Sequence, residues 1–374
     1  MAHSYTPGLR VTSHALVRRE RRLPLKGEVL VQAGAQVEPD TVVARTQLPG
    51  NVQTVNVAAK LSVDPAKSAE TLLHPLGTLV KKGQPIASAK SLFGLMKSQI
   101  ESPADGTIES VSSVTGQLIL REPPIPVEVQ AYVRGRISEV LAGEGVVVES
   151  QGALMQGIFG VGGETFGPIA VAVSRADEVL GPSHLKPEHR GAVVVGGAYV
   201  AHDTLMRAKE IGVAAVVVGG FDDHDLKRLL GKDLGVAITG QEDLGFTLVL
   251  TEGFGHIPMA DRTFRMLQDH VGHVASVSGA TQIRAGVMRP EILIPRDDAG
   301  AARPSEDSEG GLEIGALIRV IRQPYFGRLG KVVELPPELQ ALDSEARVRV
   351  LRVAFEGSQE SVLVPRANIE RIAD

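Results

Sequence analysis

The sequence predicts a multidomain protein of mixed α/β and β class, and three observations predict it. First, hydrophobic residues make up 43% of the 374 residues while aromatics make up only 3% and Trp is absent. Its cores must therefore be built from Val, Ile, Leu and Ala, which favours strands and α/β layers. Second, the N-terminal part repeats glycine-turned hairpin patterns. Third, beyond Pro168 the apolar period changes, and short apolar runs alternate with helical stretches. The length suits two or three domains of about 100–200 residues each.

The composition also excludes classes. The chain has no Cys, which excludes disulfides, thiolate metal sites, iron–sulfur clusters and a Cys nucleophile. A net charge of -5 is not that of a general polyanion binder. No apolar run approaches the roughly 18 residues of a membrane span. Four arginines at Arg18, Arg19, Arg21 and Arg22 precede no apolar stretch, so the start is not read as a secretory signal. The cytoplasm is the expected compartment.

Residues 1–160 are expected to form the first domain. Residues 1–23 read as a solvated lead-in strand. From Lys26, Gly34-x-x-Val37-(x)6-Ala44 matches Gly77-x-x-Val80-(x)6-Ala87 in turn Gly, inward Val and closing Ala. Asp105-Gly-Thr-Ile-Glu-Ser-Val111 then matches Arg134-Gly-Arg-Ile-Ser-Glu-Val140. Repeats at fixed spacing mark a fold built from duplicated units. Residues 48–73 read as an insertion, with a short helix near Pro65–Leu73. The prolines of Arg121–Val127 donate nothing to a ladder, so that segment belongs at an edge or in a crossover. Gln156–Gly167 is a glycine-rich junction without the Lys-Ser/Thr of a P-loop.

The run Gly77–Ala87, with Gly94–Val111 after it, resembles the barrel-sandwich hybrid of biotinyl and lipoyl carrier domains. There such a hairpin packs on a strand entered through a Pro-x-x-Gly turn. The same hybrid barrel occurs without a cofactor in the C subunit of the Rnf electron-transport complex. The resemblance implies one closed, pseudo-symmetric β unit. It also marks Lys97, in Leu-Met-Lys, as a modification candidate, because biotin carriers present their modified Lys in Met-Lys-Met. Here Ser98 replaces the second Met. No cofactor is expected.

Residues 161–296 read as an α/β domain with a mostly parallel sheet. Ile169–Val173, Ala192–Val195, Ala214–Val218, Val236–Ile238 and Thr247–Leu250 read as buried strands. His202–Ile211, Asp222–Leu230 and Ala260–Val271 read as helices. Several strands end in glycines: Gly196-Gly197, Gly219-Gly220 and Thr251-Glu252-Gly253. In open α/β sheets the crevice beyond the strand carboxyl ends is the usual ligand site. Glycines there let backbone N–H groups approach a small anionic ligand, or they only make tight turns. Asp203 and either Asp222 or Asp223 sit where helix N-caps belong. Arg284 and Arg289 lie inside apolar, strand-like sequence, where a charge is costly unless paired or solvated. Glu252 and Glu291 are their candidate partners, in a structural ion pair or an anion clamp. His184 with His189, and the cluster Asp222–Asp225, do not make a convincing metal site. No Gly-x-Ser-x-Gly elbow and no dinucleotide fingerprint is present.

Residues 297–311 read as a flexible linker. Residues 312–374 read as a small all-β unit. The run IGALIRVIRQPYFGRLGKVVEL resembles a KOW motif in an SH3-like barrel, as in NusG-type transcription factors. That resemblance implies contact with RNA or a protein through Arg322, Tyr325, Phe326 and Arg328. Acidic and basic residues are equal in number here, which is not the basic face that nonspecific RNA binding needs. The expected role is therefore a non-catalytic binding or scaffold protein with a protein partner. The alternatives are a transcription- or translation-associated RNA-binding factor, or an enzyme with an anionic-ligand site around Thr251–Gly255 and Arg284.

Overall fold

The structure is a computed structural model. It describes residues 9–90, 97–231, 242–281, 289–296, 312–320, 325, 328–341, 347–355 and 361–371. The expected strand at Val236–Ile238 and the linker 297–311 lie outside the described residues. The protein is mostly β, with few helices.

The sequence repeat is also a structural repeat. In one copy Gly34 takes a φ of 88°, and in the other Gly77 takes 85°. The Gly34 N–H donates to the Ile137 carbonyl at 2.8 Å, and Gly77 donates to Ile108 at 2.7 Å. Ile137 returns a bond to Ala35, and Ile108 to Thr78. Val37 pairs with Gly135 as Val80 pairs with Gly106. Ala44 pairs with Val129 as Ala87 pairs with Ile100. Both copies carry a bulge just after the matched isoleucine, at Ser138 and at Glu109. A bulge bends its strand and tightens the local twist, so each return strand curls over its own hairpin.

The two hairpins do not close on each other. Each copy has its own core. Val37, Val43, Ile137, Val146 and Val148 pack together in one, and Val80, Ile86, Ile108, Leu118 and Leu120 in the other. Each fully buried Val, Leu or Ile contributes about 1.5–3 kcal/mol, so two separate cores of this size are affordable. The second copy is inserted in the first, between strands Val42–Leu48 and Ile125–Gln130, which pair from Leu48↔Ile125 onward. One closed unit was expected, whereas the two nested copies have separate cores. The match in sequence reports equal local geometry, whereas the choice of partner depends on loop lengths between the copies. The segment read as an insertion supplies strand Val52–Asn56 and a short helix, Val57–Leu61, whose Val55, Val57 and Leu61 join the inner core. Among the described residues, strand Ile125–Gln130, with Pro126, pairs only with Val42–Leu48, at the edge where a proline costs no ladder bond.

The lead-in strand is more than a solvated segment. Val11–Arg22 runs antiparallel along Gly145–Gln156, with Val11, Ala15 and Val17 buried. Gly145–Gln156 also pairs with Gly135–Leu141 and Glu291–Pro295. One sheet therefore continues from the outer copy into the strands beyond residue 160.

In that sheet Glu164–Val171, Val193–Val195, Ala215–Phe221 and Thr247–Phe254 are parallel neighbours in sequence order. Except for the half-buried Val171, their valines and leucines are buried, Val193–Val195 and Val216–Val218 completely so. Continuous apolar runs of this kind belong to strands covered on both faces. Helices His202–Ile211, Asp223–Leu230 and Asp261–Asp269 place Leu205, Leu226, Phe264 and Leu267 in the same core. Asp222 caps the second helix by accepting from the His224 N–H at 2.8 Å. Asp203 sits within the first turn of its helix, and the N-cap is Ala201. The C-terminal strands, from Leu317–Val320 to Ile369–Arg371, form a separate six-stranded sheet with its own apolar cluster.

Candidate functional site

The strand carboxyl ends are occupied by the protein's own chain. A Cβ on Gly219 would overlap the Ile257 carbonyl, one on Gly220 the Gly255 carbonyl, and one on Gly197 the Glu178 carbonyl. A Cβ on Gly196 would meet Leu180 and Val218 at 2.9 Å. Gly253, at a φ of 143°, lies where Gly220 pairs with it. These glycines therefore allow backbone to pack on backbone. Thr251 donates through Oγ1 to the Val218 carbonyl at 3.3 Å.

Glu252 is fully engaged at the same place. Its Oε1 accepts from the Ala260 N–H at 2.9 Å, at the start of the helix Asp261–Asp269. Its Oε2 meets Arg319 Nη2 at 2.6 Å, with side chains 8% and 6% exposed. Arg319 comes from the C-terminal sheet, on strand Leu317–Val320. A desolvated pair of this kind persists only where geometry and further hydrogen bonds are good. The expected partner of Glu252, Arg284, lies outside the described residues. Arg319 was missed, although a lone Arg in the apolar run LIRVI carries the signal that singled out Arg284 and Arg289.

Glu291 also has a partner far away in sequence. Arg19 holds it with both Nε, at 2.8 Å, and Nη2. Tyr132 donates its hydroxyl to Glu291 Oε1 at 3.3 Å. Burial, and then the charges of Glu291 and Glu164, push the Tyr132 phenol well above its usual range. Tyr132 has a φ of 71°, which side chains rarely adopt. Arg21 grips Glu164 through two bonds of 2.8 and 2.7 Å and lies 5.3 Å from the Tyr132 ring centre. Arg21, Tyr132 and Glu164 of this network line a groove of about 860 Å³. Arg289 is half-buried and takes part in an interaction.

The remaining candidates are apart from both places. Tyr325 packs on Phe355 with ring centres 5.3 Å apart, and the Arg328 guanidinium lies 4.1 Å over the same ring. Arg322 and Phe326 lie outside the described residues. Lys97 opens strand Lys97–Glu101, and its side chain is not among those described. His184 and His189 each accept, through Nδ1, a backbone N–H from their own short turns. Among the described residues no three His, Asp or Glu side chains converge as a metal site, and no helix is long and apolar enough to cross a membrane. No protein-family model matches the chain, and no curated protein matches it in sequence.

Proposed function

We propose that this is a non-catalytic binding or scaffold protein, whose nested β copies present surfaces to a protein partner. The observation that carries this reading is the filled crevice. Where an α/β enzyme would hold its substrate, Gly219, Gly220 and Glu252 are covered by residues 255–260 and by Arg319. In this reading each copy is a barrel-sandwich hybrid like those of biotinyl and lipoyl carriers, used without a cofactor. The C-terminal sheet is an SH3-like barrel with a KOW motif. Its Arg328 and Tyr325 rest on Phe355, which favours a structural or protein-contacting loop over one splayed for stacking bases.

The inner copy leaves and re-enters the outer hairpin at adjoining positions, with Glu122 N–H bonded to the Asn51 carbonyl at 2.9 Å. Residues 49–124 can therefore be replaced by an Asn-Gly turn while the rest keeps its pairing. The full chain and this deletion are used as baits in the native host. Recovery of a stoichiometric protein by the full chain, lost on deletion, supports the reading. Saturable turnover of a small molecule, or structured-RNA binding that falls steeply between two salt concentrations, overturns it.

A further inference from the structure

The match between the two copies gives an internal control for their exposed positions. Arg121 faces Val52 and Thr107 in the inner copy, as Glu149 faces Arg18 and Arg136 in the outer one. Strand Val52–Asn56 therefore stands where residues 18–22 stand. The outer strand exposes Arg18, Glu20 and Arg22, and the inner one exposes Val52, Thr54 and Asn56. The sheet face beside them follows suit. Leu79, Thr107 and Ser110 occupy the places of Gln36, Arg136 and Glu139. The backbone pairing is alike in the two copies, so it does not demand this loss of charge. Val52 is 46% exposed and Leu79 69%.

Strand Val52–Asn56 is also an edge. Among the described residues it pairs only with Gln117–Arg121. The bonds from the Val57 N–H to Gly116 and from the Glu122 N–H to Asn51, both 2.9 Å, set the phase of that ladder. Antiparallel pairs alternate between bonded and unbonded. Val52 and Thr54 therefore point their N–H and C=O groups away from the sheet, and Asn56 its N–H. No described residue bonds to these groups. An open edge is a template for another strand, and proteins blunt it with charge, proline, a bulge or brevity. Edges elsewhere in the copies are blunted in this way. Ile125–Gln130 carries Pro126, Glu128 and a bulge, and Glu28–Val29 and Leu79–Val80 are two residues long. Val52–Asn56 has none of these devices. Its sequence, VQTVN, holds no charge and no proline, and its ladder runs without a bulge.

We propose that Val52–Asn56 is a dimerisation edge, on which the same strand of a second copy of this chain pairs antiparallel about a twofold axis beside Thr54. The strand's own chemistry selects this occupant. It offers no charge for a foreign strand to complement. Set against itself, it puts Thr54 opposite Thr54, a favourable cross-strand pair with no like charges opposed. Val52 then faces Asn56 and Asn56 faces Val52, as a twofold contact requires. The charges next to the edge, Arg121 and Glu109, are already bound to each other at 2.8 Å, so two copies bring no net charge together there. The contact does not depend on the partner reading above, because it forms in the purified chain with or without another protein.

The test is sedimentation velocity of the purified full-length protein over about 1–100 μM. A monomer–dimer equilibrium is expected. Thr54→Lys and Thr54→Asp each set like charges against each other at the axis, and each should weaken dimerisation about tenfold or more. An equal mixture of the two variants should recover the dimer, because lysine then faces aspartate. Val271→Lys, at an exposed turn beyond helix Asp261–Asp269, should leave the equilibrium unchanged. Thr54 is exposed and outside the inner core, so circular dichroism should show both variants folded. If either is not, Val52→Lys, which restores a charge like that of Arg18 to the edge, is read against the same tenfold expectation. A monomer throughout that range, a dimer indifferent to the edge substitutions, equal loss with Val271→Lys, or two monomeric variants whose mixture stays monomeric would overturn the proposal. The first outcome overturns it even where a host protein is captured and Thr54→Lys releases it, because the occupant is then foreign.

Discussion

Arg319 Nη2 lies 2.6 Å from Glu252 Oε2, and this pair joins the C-terminal sheet to the ends of the parallel strands with both side chains out of solvent. Glu252 in turn holds the Ala260 N–H, so one carboxylate fixes a loop, a helix start and a neighbouring sheet together. Breaking such a pair from one side strands a buried charge, which costs about 3–5 kcal/mol. Arg319→Met and Glu252→Gln should each destabilise the protein on that scale in urea titrations. The double variant should lose clearly less than the two single losses added, because neither charge is then left alone. Simple additivity would mean that the two residues act independently.

The nested copies predict matched costs. Gly34 and Gly77 have φ values of 88° and 85°, and a Cβ would meet nothing within 4 Å at either. Gly34→Ala and Gly77→Ala should each cost about 1–2 kcal/mol, the penalty for left-handed backbone alone. Gly219→Ala should cost more, about 3 kcal/mol, because the added carbon collides with the Ile257 carbonyl and the strand end must shift. Chemical denaturation of the three variants gives the ranking directly.

Tyr132 gives a pH dependence with a defined sign. Its phenol keeps its proton in the folded protein well above the usual range. An unfolded chain releases that proton near pH ~10. Above that pH the unfolded state binds fewer protons, so the stability from this group is fully present below about pH 10 and is lost as pH rises further. Tyr132→Phe should therefore flatten the alkaline fall in the urea midpoint. It should also cost about 1–2 kcal/mol at neutral pH, by removing the bond to Glu291.

Arg328 sits over Phe355. Arg328→Ala should remove about 0.5–1 kcal/mol of cation–π attraction, and should weaken the C-terminal sheet without changing the rest. Hydrogen exchange of strand Arg347–Phe355 against strand Ala215–Phe221 separates the two effects. Equal loss of protection in both would show that the arginine acts beyond its own sheet.

Much of the local structure was legible. Gly34, Val37 and Ala44, with their counterparts at 77, 80 and 87, report turn conformation and inward positions, which depend on a few neighbouring residues. The helix bounds His202–Ile211 follow from an apolar period ending at Gly212, which takes the left-handed cap with a φ of 82°. Pairing across long separations was not legible. Arg19 looked like part of a solvated basic run because its partner Glu291 is 272 residues away. The strand-end glycines carried two meanings in sequence, since a glycine that admits a ligand and one that admits a neighbouring carbonyl look alike. Only the positions of Ile257, Gly255 and Glu178 separate them.

The doubling of the β copies also carries a history. Strand Ile125–Gln130 resumes beside Leu48 as though nothing had come between them. A gene for one hairpin unit could have received a duplicate of itself at the tip, without disturbing a single rung below. A host fold that tolerates such a graft would tolerate others there, so the tip between Leu48 and Ile125 is where lineages of this protein should diverge most in length.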